Sequence, residues 1–145
     1  MHRKIVIALL SIVSIFTSPS HAVDLYLDIN GMSKHSEDSY IYRGTTRDYN
    51  SRNSGLGITA DLNKYFEASG GFYDNSYYHQ SLYGSVTMKH DLLYRDFSIT
   101  PGINVGLATG YENTPVNANT LQPFLIAKAR ITWHGVGLTV GYIPP

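Results

Sequence analysis

The feature that most constrains this chain is strict period-two alternation. Phe97, Ile99, Ile103, Val105 and Leu107 fall on one face of a segment whose other face carries Ser98, Thr100, Gly102, Asn104, Gly106 and Ala108. That pattern suits a strand with one apolar side and gives no continuous apolar stripe on a helix. The last segment repeats it, with Val136, Leu138, Val140 and Tyr142 opposing Gly135, Gly137, Thr139 and Gly141. Leu56, Ile58, Ala60 and Leu62 oppose Gly55, Gly57, Thr59 and Asp61; Leu82, Val86 and Met88 oppose Ser81, Tyr83, Ser85 and Thr87. Further strands are predicted over 24–35, 65–74 and 121–133. Turn signals fall at Asn53-Ser54-Gly55, at Leu62-Asn63-Lys64, in the charged 89–96 stretch, and from Asn113 to Asn119 around Pro115. Seven strands are predicted, with a candidate eighth at 40–46. The fold class is all-β: a small antiparallel up-and-down β-barrel of seven or eight strands.

The N-terminus reads as an export leader. Arg3 and Lys4 precede an apolar run from Ile5 to Phe16, and Ser20-His21-Ala22 offers small residues at a cleavage site. The run is short for a spanning helix, which needs about 20 residues. The expectation is a cleaved signal peptide over 1–22 and one barrel domain over 23–145, in the range of an ordinary single domain. Without Arg3 and Lys4, nine Lys or Arg remain against eleven Asp or Glu. No basic stripe calls for nucleic acid. The chain has no cysteine, so neither disulfides nor a lipid-modified Cys at the cleavage point is available to it.

Alternation alone does not say which face points outward. In a membrane barrel the apolar face meets lipid. In a soluble lipocalin-like barrel it lines the inside. Small residues on the non-apolar face, among them Gly102, Gly106, Gly137 and Gly141, would leave room inside for a slender ligand. The same glycines also suit a tightly curved sheet. Tyr26, Tyr40, Tyr42, Tyr65, Tyr73, Tyr77, Tyr78, Tyr94, Tyr111 and Tyr142 gather near strand ends, matching the aromatic girdles of membrane barrels.

Four histidines follow the leader: His35, His79, His90 and His134. Their spacing fits no metal motif, and no cofactor is called for. His90 and His134 read as surface residues. His35 ends the first strand, and Ser76 ends the third in Tyr73-Asp74-Asn75-Ser76-Tyr77. A Ser and a His at strand ends on one rim can meet as nucleophile and base. No Gly-x-Ser-x-Gly elbow is present.

Several of these segments, in order, resemble the lipid A palmitoyltransferase family known as PagP. Asp24-Leu25-Tyr26-Leu27 is similar to the opening of its first strand, and His35 falls where its essential His closes that strand. Arg47-Asp48-Tyr49-Asn50-Ser51-Arg52 resembles its first outer loop, and Ser54-Gly55-Leu56-Gly57 its Gly-rich second strand. Phe72-Tyr73-Asp74-Asn75-Ser76-Tyr77 is similar to its segment with a reactive Asp and Ser. Pro123 and the ending Tyr142-Ile143-Pro144 also find counterparts. The family's Asp is replaced by Asn75, and Asp74, one position earlier, points to the other strand face. The family's helix before the first strand has no counterpart here. The chain ends at Pro145, where the family continues into an eighth strand. Closure then needs a strand around 40–46, direct pairing of the first and seventh strands, or another chain.

The resemblance implies an outer-membrane barrel, with the periplasm as the alternative location, that moves palmitate from a phospholipid to lipid A. It casts His35 as general base, Ser76 as nucleophile or orienting donor, and Asn75 as a donor to the substrate carbonyl. Gly102, Gly106, Gly137 and Gly141 would make room for the acyl chain. The expected partners are lipid A, phospholipid acyl chains and the outer membrane, with no metal. The alternatives are a non-enzymatic lipid-binding or structural barrel and a soluble periplasmic carrier.

Overall fold

The computed structural model describes residues 12–17, 23–112, 114 and 121–144. It is all-β. β1 (Ile12–Thr17), β2 (Leu25–Met32), β5 (Arg52–Asp61), β6 (Phe66–Asp74), β7 (Gln80–Lys89), β9 (Phe97–Ala108), β10 (Gln122–Trp133) and β11 (Val136–Tyr142) form one antiparallel sheet in the order β10-β11-β1-β2-β5-β6-β7-β9, and β9 pairs back to β10. That last pairing joins the two ends of the order. β8 (Leu92–Tyr94) continues the course of β7 along β9. β3 (Ser39–Tyr42) and β4 (Thr45–Asp48) form a separate hairpin between β2 and β5.

Short turns set the up-and-down order. Arg43 and Gly44 both have positive φ between the paired residues Tyr42 and Thr45, and His134 and Gly135 do the same between Trp133 and Val136. Two positive φ values give the primed turn whose twist matches a hairpin. At Asn63 the side-chain Oδ1 accepts from the Tyr65 and Phe66 amides at 2.8 and 3.0 Å, closing the β5–β6 turn.

Three sequence expectations are corrected. Residues 40–46 lie in the β3–β4 hairpin and contribute no barrel strand. Asn53-Ser54-Gly55 lies inside β5, where Gly55 pairs with Tyr73. The 89–96 stretch contains β8 and turns only at Arg95-Asp96. The predicted turn at 113–119 falls almost wholly outside the described residues.

The place of the eighth strand is taken by β1. It pairs with β11 from Ile12↔Thr139 to Ile15↔Val136 and with β2 from Val13↔Ile29 to Thr17↔Leu25. This segment belongs to the run read above as an export leader. Removal of residues 1–22 would vacate it and leave β2 and β11 as facing edges.

The structure also orients the faces. Leu25, Leu27 and Ile29 on β2, Leu82, Val86 and Met88 on β7, and Ile103, Val105 and Leu107 on β9 are all exposed on the outer surface. Asp28, Asn30, Thr59, Glu67, Thr87, Asn104, Arg130 and Thr139 are buried in the bore. Among the described residues the one fully buried hydrophobic residue is Ala108. The barrel is therefore apolar outside and polar inside, the reverse of the lipocalin-like arrangement.

Candidate functional site

The upper rim is tied together through residues 50–53, which bond the loop after β2 on one side and the end of β6 and its following loop on the other. The Ser33 amide donates to Ser51 O at 3.0 Å, and the Asn50 amide to Ser76 O at 2.8 Å. Asn50 Nδ2 donates to Asn75 O at 3.1 Å, and Asn53 Nδ2 to Asp74 O at 2.8 Å. These bonds fix the 33–38 loop against the 75–79 loop. His35 Nε2 and Ser76 Oγ consequently lie 2.7 Å apart, although 41 residues separate them in sequence. Ser33 Oγ is the next hydroxyl, at 3.4 Å from the same nitrogen.

Aromatic rings hold the histidine. Tyr49 stacks on the imidazole with centroids 4.1 Å apart and planes 12° from parallel. Tyr40 packs on Tyr49 at 4.9 Å and edge-on to Tyr77 at 5.0 Å, and Tyr77 meets Tyr111 at 6.1 Å. Tyr73 and Tyr111 share a hydroxyl hydrogen bond of 2.8 Å. Several tyrosines read from sequence as an outer girdle thus line the mouth instead. Tyr26 is likewise inside, beneath the Arg130 guanidinium at 4.7 Å. Among the described residues, Tyr65, Tyr78 and Tyr142 are exposed.

Burial lowers the His35 pKa below its usual value, and no neighbouring carboxylate counteracts it. The imidazole is therefore neutral near pH 7. In the tautomer in which Ser76 donates to it, Nε2 is the unprotonated nitrogen, the arrangement a base requires. Burial raises Tyr77 and Tyr111 well above the ordinary phenol value, so both remain neutral hydrogen-bonding groups.

Asn75 has a different place from the one expected. It is wholly buried. Its Nδ2 donates to Ser81 Oγ at 3.0 Å and to Gly110 O at 2.7 Å, while its Oδ1 accepts from the Tyr77 and His79 amides at 2.9 and 3.1 Å. Every hydrogen-bonding position of the amide is used, and none is left for a substrate carbonyl. Asn75 instead shapes the turn that carries Ser76. Asp74 is exposed on the outer side of the wall.

Below the His35–Ser76 pair lies a cavity of about 530 Å³ lined by Tyr73, Tyr83, Tyr111, Phe124 and Ile126, with Asp28, Lys128 and Arg130 at its floor. Of the four predicted lining glycines, Gly141 borders it. The inner face of Gly106 is filled by Phe124, whose Cζ would lie 2.5 Å from a Cβ there, and that of Gly102 by Thr87 Cγ2 at 2.8 Å. Gly137 faces the Arg130 side chain at 3.4 Å. Sequence reasoning missed Gly57 and Gly71, which admit the Tyr83 ring: its Oη would be 2.3 Å from a Cβ at Gly57, and its Cε1 3.0 Å from one at Gly71.

Among the described residues the wall beside the cavity is incompletely paired. β10 pairs with β11 only from Ala127↔Tyr142 downward, so residues 122–126 have no partner in β11. Both inward Phe124 and outward Leu125 border the cavity at this point, as do Ile143 and Pro144. No family model, curated protein or solved structure matches this chain.

Proposed function

We propose that the chain is a PagP-like outer-membrane barrel that binds a lipid acyl chain and transfers it, as palmitate, from a glycerophospholipid to lipid A. The observation that carries this reading is the 2.7 Å contact of His35 Nε2 with Ser76 Oγ at the mouth of the 530 Å³ cavity. The reacting pair and a space for a chain meet at one place.

The bilayer setting rests on solvation. Each large apolar side chain kept in water forgoes about 1.5–3 kcal/mol of burial. The outer face carries dozens of such groups, against a total stability of about 5–15 kcal/mol for a typical domain. An apolar solvent removes the conflict. β5, β6 and β7 have ten, nine and ten residues, the length of a tilted spanning strand.

In the transfer, the acyl carbon of the donor ester is attacked by a hydroxyl whose proton passes to His35 Nε2. The bond to the glycerophospholipid oxygen breaks, and the same proton returns to that oxygen. Ser76 Oγ, 2.7 Å from the base, can be that hydroxyl in the first of two such transfers, the lipid A hydroxyl then attacking the Ser76 ester in the same way and the proton returning to Ser76 Oγ. The test is mass spectrometry of lipid A from a Gram-negative host lacking its own palmitoyltransferase, with and without this gene. A gain of one acyl chain supports the reading; unchanged lipid A with folded barrel in the membrane overturns transfer.

A second reading is favoured by the engagement of Asn75 and the outward position of Asp74. With no carboxylate among the described residues acting on His35 to balance an imidazolium, a barrel that binds an acyl chain without transferring it fits the same cavity. Unchanged lipid A with phospholipid retained by the purified barrel would support it.

A further inference from the structure

Beneath the cavity the bore is crossed by charge. Glu67 on β6, only 1% exposed, pairs with Lys128 and, at 3.1 Å, with Arg130, both on β10 and separated from it by β7 and β9. Further from the rim, Lys89 on β7 bridges Asp61 at 3.0 Å and Asp91 at 3.1 Å, and Thr100 on β9 donates to Asp91 at 2.7 Å. Lys128 and Arg130 border the upper cavity. Asp61, Lys89 and Asp91 border an open hollow of about 500 Å³ at the opposite mouth. The two hollows share no lining residue, and Glu67 borders neither. The charged cluster is the partition between them.

We propose that this partition is an electrostatic gate, and that the barrel passes small ions when it opens. A permanent plug does not call for charge, because buried ion pairs stabilise no better than apolar side chains of the same volume. Three acids, Asp61, Glu67 and Asp91, meet three bases, Lys89, Lys128 and Arg130, in these ion pairs, while a fourth acid, Asp28, lies beside them at the cavity floor and accepts from Thr59. Partners can exchange within that set without stranding net charge. Arg130 Nε and Asp61 Oδ1 are buried without a hydrogen-bond partner, so another arrangement has bonds to gain. The interior of an eight-stranded barrel is only wide enough for side chains to fill. Opening by side-chain rotation therefore admits single ions and excludes larger solutes. This gate rests on the bilayer setting proposed above but requires nothing of His35 or Ser76.

The test refolds the full chain into phosphatidylcholine vesicles loaded with potassium chloride, with insertion checked by protease protection. Potassium efflux is measured for the wild type, Glu67→Ala, Lys128→Ala, and the exchange of Glu67→Lys with Lys128→Glu. Each single substitution is expected to raise efflux about tenfold or more by shifting a closed–open equilibrium, and the exchange to restore it toward wild type. Equal efflux from all inserted barrels would overturn the gate. Efflux from the exchanged protein as high as from the single variants would make the partition a steric plug and also overturn it. Failure to insert would remove the bilayer setting and the gate together. Acyl transfer by Glu67→Ala, measured separately, keeps the fate of the two proposals distinct.

Discussion

His35 Nε2 and Ser76 Oγ are 2.7 Å apart because Asn50 ties the loop before β5 to the loop after β6. The two side chains act as a unit in the proposed transfer, so their removal is not additive. His35→Ala is expected to lower acyl transfer by about 10²–10⁴-fold, the usual worth of a general base. Ser76→Ala is expected to lose about as much, and the double variant little more. Transfer within a few-fold of wild type in Ser76→Ala would reduce that hydroxyl to an orienting role.

The lowered pKa of His35 fixes the sign of two pH effects. The folded chain binds its proton less readily than the unfolded chain, whose His titrates near the ordinary value of about 6.5. Stability from this group is full above that value and falls as pH drops from about 6.5 through the lower folded pKa. The transfer rate should likewise hold below pH 6.5 and decline only in the more acidic range. A rate that halves at or above pH 6.5 would contradict the burial of the imidazole.

Tyr49 should act through its ring and not its hydroxyl. Tyr49→Phe keeps the stack on His35 and is expected to leave the histidine titration unchanged. Tyr49→Ala uncovers the imidazole, moves its pKa up toward the ordinary value and removes about 0.5–1.5 kcal/mol of ring packing. NMR titration of the His35 ring carbons checks both.

Placing at position 75 the acid that the PagP family carries should harm the protein. In Asn75→Asp two former donor positions become acceptors facing Ser81 Oγ and Gly110 O in a buried site. The expected cost is about 3 kcal/mol, from lost bonds and a buried unpaired charge. Chemical unfolding would measure it. A stable variant with higher transfer would show that Asn75 is a weakened catalytic group and not a turn keystone.

The position of β1 can be checked by cross-linking, because the chain has no cysteine of its own. In full-length protein refolded with residues 1–22 present, an Ile15→Cys, Val136→Cys pair should form a disulfide, since these residues are register partners of adjacent strands. A pair shifted by one residue, Ser14→Cys with Val136→Cys, should form it poorly. Equal cross-linking in the two would show a strand without fixed register.

The barrel was legible from period-two alternation because each strand keeps a single solvent-facing pattern over its whole length. Phe97–Ala108 and Gln122–Trp133 emerge nearly as predicted for that reason. The choice of outward face was not legible, since alternation is symmetric; it needed the sheet to close. His35 and Ser76 were found through their strand-end positions and a family resemblance. The role of Asn75 was hidden because its four partners are the backbone of its own turn, the Ser81 hydroxyl and the backbone of the distant Gly110. Tyr49, Tyr83 and Tyr111 were missed as site residues because stacking on His35, cover for Gly57 and the bond to Tyr73 are relations in space. The one trace in the sequence was the number of tyrosines, which was assigned to the lipid boundary.

β1 joins two events that are usually separate. The six residues that fill the gap between β2 and β11 belong to the stretch with the marks of an export leader. If a peptidase cuts after Ala22, as the leader reading expects, cutting and strand pairing compete for the same length of chain. Whichever is faster decides whether the wall is completed by its own first residues or is left with a slot six residues long for another strand.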